Sequence, residues 1–159
     1  MSLADVVQLL HVASAFVFVA GLIARDALLA RARRASDVHD TALQVEAAQP
    51  FEKAVTVGST LVLVLGLATM WTEHLPWCGE GQRWVTVSLV LFLSLVPFIP
   101  LVFLPRGRRF DRALRESVEA GARTPALEAA FADGAVRFAR RYEQVVVAVV
   151  IVLMVTKPF

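Results

Sequence analysis

The sequence has little cysteine, and long parts of it carry no charge at all. Its single cysteine, Cys78, excludes an intrachain disulfide and a zinc site built from cysteines. A nucleotide-binding loop, a serine-nucleophile motif and a zinc-protease motif are also missing. Acidic and basic side chains are missing from the centres of four apolar blocks, so these blocks are not ordinary solvated helices.

The four apolar blocks predict transmembrane helices. They cover about residues 6–24, 54–72, 84–104 and 144–156 of a 159-residue chain that is 57% hydrophobic. The first three contain roughly 19–21 residues, the length of helix needed to cross a hydrocarbon layer of about 30 Å. Their residues do not alternate between apolar and polar as barrel strands do. Because lipid cannot satisfy the backbone, helices are the remaining solution.

The fourth block is the shortest. Its uncharged run of about 13 residues covers about 20 Å at the helical rise, and a re-entrant or surface helix is the alternative. Arg140, Arg141, Tyr142 and Lys157 flank the run and can place their polar ends at the interface, which lengthens the span. We therefore predict an all-α polytopic protein with one four-helix transmembrane domain. Its spans are expected at about residues 5–25, 54–73, 84–104 and 138–158.

Basic residues predict the orientation of the bundle. Of the 16 lysines and arginines, 14 fall in two long connections, residues 25–53 and 105–142, and only Arg83 and Lys157 lie elsewhere. Basic loops stay in the cytoplasm, so both connections are expected there, and an even number of spans places both termini outside. Because these arginines flank spans, we expect them to meet the anionic lipid of the inner leaflet and not nucleic acid.

Helices are also expected inside the cytoplasmic connections. Asp37 can cap a helix that runs to about residue 49, where Pro50 should stop it. Thr124 followed by Pro125 is typical of a helix start. That helix could continue into the fourth block with a bend near Gly134.

Part of the second connection is amphipathic. Phe110, Leu114 and Val118 repeat at every fourth position among arginines and glutamates, which is typical of a helix lying on a membrane surface. The peptide 106–121 is therefore expected to rest against the inner leaflet.

Glycines and prolines should shape the bundle. Gly21 and Gly66 would allow neighbouring helices to approach closely. Pro97 and Pro100 should bend the third helix and free backbone carbonyls in its inner half.

One histidine lies deep inside a predicted span. His11 follows about six residues of apolar helix, hence roughly 9 Å below the surface, and no other ionisable side chain lies so deep in a block. Gln8 and Ser14 are three residues away on either side and share its helix face. A histidine here can bind haem iron or transfer a proton. The alternative is a neutral imidazole hydrogen-bonded to a neighbouring helix.

A second group of candidate ligands lies at the end of the second block that is predicted to face outside. Met70 and His74 are one helical turn apart, Cys78 follows, and together they suit copper. Pro76 interrupts the helix before Cys78, so an interfacial cap of ordinary polar residues is the alternative. His11 and His74 differ in depth by about 9 Å, which favours a haem held by His11 alone over one held by both.

Short motifs spread along the chain form a set. They are Leu-His-Val at 10–12, Phe-Val-Ala-Gly-Leu at 18–22, Leu-Gly-Leu at 65–67, Leu-Pro-Arg-Gly-Arg at 104–108, Ala-Phe-Ala-Asp at 130–133 and the ending Leu-Met-Val-Thr-Lys-Pro-Phe. This set resembles a bacterial family of predicted integral membrane proteins of unknown function. The resemblance covers essentially the whole chain and implies a four-helix protein of the bacterial inner (plasma) membrane, with no established activity.

Two of these motifs also suggest a more distant similarity. His11 followed by Ala-Gly-Leu at 20–22, and the Lys-Pro-Phe ending at 157–159, are similar to HemJ-type protoporphyrinogen oxidases, which are small four-helix membrane proteins. That resemblance implies association with haem b and a redox role, with His11 as the axial ligand. Those oxidases carry a functional lysine early in the third helix, where Ser88 stands here. CopD-type membrane proteins are similar more remotely.

Three functions remain open at this stage. The first is a small membrane redox protein that holds haem b or another tetrapyrrole through His11. The second is a non-enzymatic accessory or assembly subunit, acting as a homo-oligomer or within a larger membrane complex. The third is transport of a metal or small solute. An absorption spectrum of the purified protein separates the first from the others.

Overall fold

The computed structural model describes residues 2–73 and 83–158, and it shows no strand in either range. The all-α prediction is confirmed for this part of the chain. The helices are α1 Leu3–Arg34, α2 Val38–Thr72, α3 Arg83–Leu93, a π-helix Ile99–Phe103, α4 Leu104–Glu119, α5 Pro125–Phe131 and α6 Gly134–Thr156.

Two of these helices are long and apolar enough to cross a membrane. They are α1, with 32 residues, and α2, with 35. The apolar helix α3 is shorter. The number of four spans and the position of the termini stay predictions.

The chain divides into two compact units. The first contains Met1–Ala32 and Gln44–Trp77, and the second contains Arg33–Leu43 and Cys78–Phe159. The α1–α2 connection thus belongs to the second unit, together with α3 to α6.

In the first unit, α1 and α2 run antiparallel and touch where glycine leaves room. A Cβ on Gly21 would lie 3.2 Å from the Phe51 carbonyl oxygen, and one on Gly58 would lie 3.0 Å from the backbone of Phe18. The close approach expected at Gly21 is confirmed. Phe18 is buried against α2 with 4% of its surface exposed, so the seam between the two helices is tightly packed.

The prediction that Pro50 ends a helix is wrong. Asp37 does cap the helix, since its carboxylate accepts from the main-chain N–H groups of His39 and Asp40 at 3.2 and 3.4 Å. However, α2 continues through Pro50 to Thr72. A proline inside a helix removes one hydrogen bond and costs about 3 kcal/mol. Burial of Ala48 and Val55 on either side of Pro50 holds the helix together in spite of this loss.

In the second unit, the third apolar block is broken where its prolines predict a bend. Regular α-helix ends at Leu93. Val96 then donates to the carbonyl of Leu93 at 3.1 Å, a bond three residues back instead of four. A π-helix follows from Ile99 and passes directly into α4. Pro97 explains the break, because it has no N–H to donate.

The remaining helix starts follow local capping. The Thr124 side chain accepts from the N–H of Leu127, and Pro125 occupies the first turn of α5, as predicted. The expected bend near Gly134 is a full interruption: α5 ends at Phe131 and α6 begins at Gly134. Asp133 caps the new helix by accepting from the N–H groups of Ala135 and Val136 at 2.9 and 3.2 Å.

Candidate functional site

His11 lies in the seam between α1 and α2, against a glycine. A Cβ on Gly66 would lie 3.0 Å from Cε1 of His11, 3.4 Å from Nδ1 and 3.8 Å from Nε2. The imidazole therefore occupies the space that any larger residue at position 66 would fill. Gly66 permits a close approach, as the sequence predicts, and its partner in that approach is the candidate ligand itself.

One nitrogen of this imidazole is buried without a partner. Nδ1 of His11 has no hydrogen bond to any residue of 2–73 or 83–158. The polar group of α2 that interacts with the ring is the backbone carbonyl of Val62, one helical turn before Gly66. A buried polar atom left unsatisfied costs about 1–3 kcal/mol. Within the described part of the first unit, Oε1 of Gln44 is the other side-chain atom in this condition.

The two residues predicted to share the face of His11 have separate surroundings. Gln8 is exposed and Ser14 is buried. The Ser14 hydroxyl lies 2.5 Å from the carbonyl oxygen of Leu10 and 3.1 Å from that of His11, both in its own helix. This back-bonding satisfies Ser14 within α1. Neither side chain is hydrogen-bonded to the imidazole.

The candidate copper ligands at the end of α2 are only partly described. Met70 is buried, with 8% of its surface exposed, one turn after Gly66. His74 and Cys78 lie outside the described residues. Among residues 2–73 and 83–158, no three histidine, cysteine, aspartate or glutamate side chains cluster as a metal site would require.

A polar contact crosses the second unit where the third block breaks. The Ser94 and Tyr142 hydroxyls are 2.8 Å apart, and Ser94 also donates to the carbonyl of Leu91 at 2.6 Å. Phe98 packs beside Tyr142, with 5.2 Å between ring centroids. The pairing could not be predicted without the register of α6, although Tyr142 is the only tyrosine in the chain.

Ser88 is buried in α3 with 1% of its surface exposed. Its hydroxyl has no hydrogen bond within the described part of the chain. A serine in a helix can reach the carbonyl four residues earlier by rotating about one bond. The hydroxyl alone therefore does not define a site.

On the connection side, two arginines meet at one phenylalanine. The guanidinium carbons of Arg33 and Arg123 lie 5.9 and 5.3 Å from the ring centroid of Phe131. Phe110 packs edge-on against the same ring, with 5.0 Å between centroids. We call Arg33, Phe110, Arg123 and Phe131 the arginine clasp. Sequence reasoning missed it, although Phe131 lies in the Ala-Phe-Ala-Asp motif.

A second ionic contact joins α4 to the start of α6. Nε of Arg106 lies 3.0 Å from Oδ2 of Asp133, the residue that caps α6. Burial acts to raise the pKa of the Asp133 carboxyl, but the N–H groups of Val136 and Ala135 and the charge of Arg106 outweigh it. The pKa of Asp133 therefore lies below its ordinary value.

Comparison with known proteins gives a family and no activity. No curated protein and no solved structure matches the chain. Residues 5–158 match the family described as "Predicted integral membrane protein (DUF2269)", and the chain therefore belongs to this family.

Proposed function

We propose that this chain is a four-span protein of the bacterial plasma membrane that holds haem b or another tetrapyrrole through His11, in a redox role. Both termini would lie outside the cytoplasm. The observation that carries the proposal is the placement of the His11 imidazole in the α1–α2 seam, against Gly66 and beside the Val62 carbonyl, with Nδ1 buried and not hydrogen-bonded within the described residues. The family supports the membrane location, and its description names no activity.

The surroundings of His11 suit a single axial ligand. When a histidine binds a metal through one ring nitrogen, the other nitrogen carries a proton and donates it, commonly to a backbone carbonyl. Nε2 lies farther from the Gly66 position than Nδ1 does, at 3.8 against 3.4 Å, and it is the nitrogen we assign to iron. The Val62 carbonyl beside the ring is available as the acceptor for Nδ1–H.

We propose no second protein ligand for the iron at the membrane depth of His11. Met70 follows Gly66 by four residues, so it lies about 6 Å farther along α2. His74 lies outside the described residues. A haem held by one imidazole supplies a one-electron couple and an open axial position.

The rest of the chain would fix the position of the imidazole and exclude water from it. Gly66 brings the α2 backbone against one side of the ring, and Phe18 closes the seam below it. Rigid placement of the ligand and exclusion of water both tune a bound metal. This part of the proposal follows from the packing of α1 on α2.

The test is the Soret absorption of protein purified from cells supplied with haem. Wild type is expected to show the band, and His11→Ala is expected to lose it. The matched control is His39→Ala, because His39 is an exposed histidine on the connection side and its loss should leave haem content unchanged. Tetrapyrroles other than haem would appear as a band at another wavelength that also depends on His11.

Absence of pigment in wild type, or equal pigment in wild type and His11→Ala, would end the proposal. His11 would then be a packing residue that fills the space beside Gly66. In that case the chain is better explained as an accessory or assembly subunit of a membrane complex.

A further inference from the structure

Helix α4 carries three arginines in a row on one side. Arg108, Arg112 and Arg115 are spaced by four and three residues, so they fall within about 60° of one another around the helix. All three are exposed. Ala113 and Ser117, on the opposite side of α4, are buried. We call Arg108, Arg112 and Arg115 the arginine stripe.

The arginine stripe has no partner in the described part of the chain. Arg106 and Arg123, which lie off the stripe, are each engaged in an ion pair. None of the three stripe residues makes a hydrogen bond or ion pair with a residue of 2–73 or 83–158. Asp111 and Glu116 lie within reach along the helix, but neither forms an ion pair with these three arginines. The stripe is therefore available to an anion from outside.

The apolar side of α4 is already occupied, so this helix does not enter a bilayer by that side. Phe110 packs edge-on against Phe131 of α5. The Ser117 hydroxyl lies 2.8 Å from that of Thr124 at the start of α5. The sequence suggests a helix that rests its apolar face on the membrane surface, whereas the structure packs Phe110 of that face against α5 and leaves Leu114 and Val118 half-buried. The arginine stripe, on the opposite side of α4, can therefore contact lipid headgroups only through electrostatic attraction.

The stripe follows directly on the third apolar block, which the sequence predicts to span the membrane. Phe103 and Leu104 both have helical backbone angles, so α4 leaves the third apolar block without a turn. Counted from Leu104, the three arginines follow at about 6, 12 and 16 Å along the helix. The headgroup layer is about 5–7 Å thick on each side of a bilayer. With the predicted span ending at Leu104, Arg108 falls within that layer, and the other two arginines lie progressively beyond it.

We infer that the arginine stripe binds the anionic headgroups of phospholipids in the leaflet where the third block ends, with Arg108 contributing most. Attraction of a basic residue to an anionic surface falls off within a Debye length, about 8 Å at physiological salt. The expected order of contribution is Arg108, Arg112, then Arg115. This inference rests on the predicted membrane span of the third block, which the membrane character of the family supports, and it is independent of haem.

The experiment is a lipid titration of the full-length protein in detergent, followed by native mass spectrometry. The Kd of the most tightly bound phosphatidylglycerol is compared with that of phosphatidylcholine. Arg108→Gln is expected to raise the phosphatidylglycerol Kd about fivefold. Arg112→Gln should raise it less, and Arg115→Gln least. The phosphatidylcholine Kd should stay the same in all of them.

Arg109→Gln is the matched control, because Arg109 is exposed at nearly the same height but lies about 100° away around the helix. Its loss should change the phosphatidylglycerol Kd less than the loss of Arg108. An unchanged Kd in Arg108→Gln would overturn the inference, and so would equal effects of Arg108→Gln and Arg109→Gln. Displacement of the lipid by inorganic phosphate at constant ionic strength would also overturn it, by assigning the stripe to a soluble anion.

Discussion

Arg33 and Arg123 each donate hydrogen bonds to carbonyl groups at the C-terminal end of a helix. Arg123 donates to the carbonyls of Arg33 and Ala35, just where α1 ends. Arg33 donates to the carbonyl of Phe131, the last residue of α5, at 2.6 Å. The C-terminal ends of helices leave carbonyls unsatisfied and carry partial negative charge, so a cation is favourable at both places. The arginine clasp thereby joins residues about ninety positions apart in the sequence.

Replacing Arg123 by glutamine should destabilise the second unit by about 2–3 kcal/mol, because charged hydrogen bonds and a cation–π contact are lost together. The ion pair with Glu128 adds little, since the Glu128 side chain is 56% exposed. The measurement is thermal unfolding in detergent followed by circular dichroism. Arg115→Gln is the control, and as an exposed substitution it should stay within about 0.5 kcal/mol of wild type. Equal unfolding of the two variants would contradict a role for the clasp.

Local signals in the sequence predict much of the fold. Apolar block length predicts α1 and α2, and proline chemistry predicts a bend in the third block, where the structure has a break before Pro97. Capping chemistry predicts the helix starts at Asp37 and Thr124. The predicted helix end at Pro50 is wrong, because packing on both sides of Pro50 outweighs the lost hydrogen bond.

The candidate site is harder to predict because it depends on register. The sequence singles out His11 by its depth and Gly66 by its size, but nothing local shows that they touch. The arginine clasp has no local signal either, since its residues come from two separate connections. Pairing of distant residues is set by how helices pack, and one sequence does not contain that information.

Asp133 should give the protein a specific acid sensitivity. Its pKa is lowered in the folded state, so its contribution to stability is present above the unfolded value of about 3.9. That contribution is lost as the pH falls through the lower folded pKa. Asp133→Asn keeps a capping side chain but loses the charge, and it should be less stable than wild type at neutral pH only. Unfolding temperatures of the two proteins should converge in acid. A constant difference at every pH would exclude the ionised carboxylate as the cause.

Asp133→Ala separates the cap from the ion pair. Removing an aspartate cap costs about 0.5–2 kcal/mol, whereas a part-exposed ion pair contributes about 0–1 kcal/mol. Asp133→Ala should therefore be the less stable of the two variants at neutral pH. Equal stabilities would mean that the capping bonds contribute nothing beyond the charge.

Topology is tested by reporters at two positions. A reporter fused after Phe159 should be active only outside the cytoplasm, because 14 of the 16 basic residues belong to the opposite side. A reporter inserted after Gly121 should be active only in the cytoplasm. Gly121 suits an insertion, being an exposed residue with φ of 65° between α4 and α5. A cytoplasmic reporter at both positions would mean that the fourth block does not span.

Gly66→Ala tests whether the His11 ring occupies the space that Gly66 leaves beside α2. The new methyl group would meet the imidazole at 3.0 Å, and overpacking of this kind typically costs about 1–3 kcal/mol. The gain in helix propensity from glycine to alanine, about 1 kcal/mol, offsets part of this. A net loss of stability is expected. Gly107→Ala is the matched control, because a Cβ there meets nothing within 4 Å. It should stabilise α4 by about 0.5–1 kcal/mol.

The deciding comparison is the same substitution in a His11→Ala background. Without the imidazole, the methyl group at position 66 has room, so Gly66→Ala should become neutral or stabilising. The difference between its effects in the two backgrounds is the interaction between residues 11 and 66, expected to be about 1–3 kcal/mol for groups in direct contact. Thermal unfolding of wild type, both single variants and the double variant measures it. If Gly66→Ala is equally destabilising with and without His11, the ring does not rest on Gly66, and the placement of the candidate ligand is wrong.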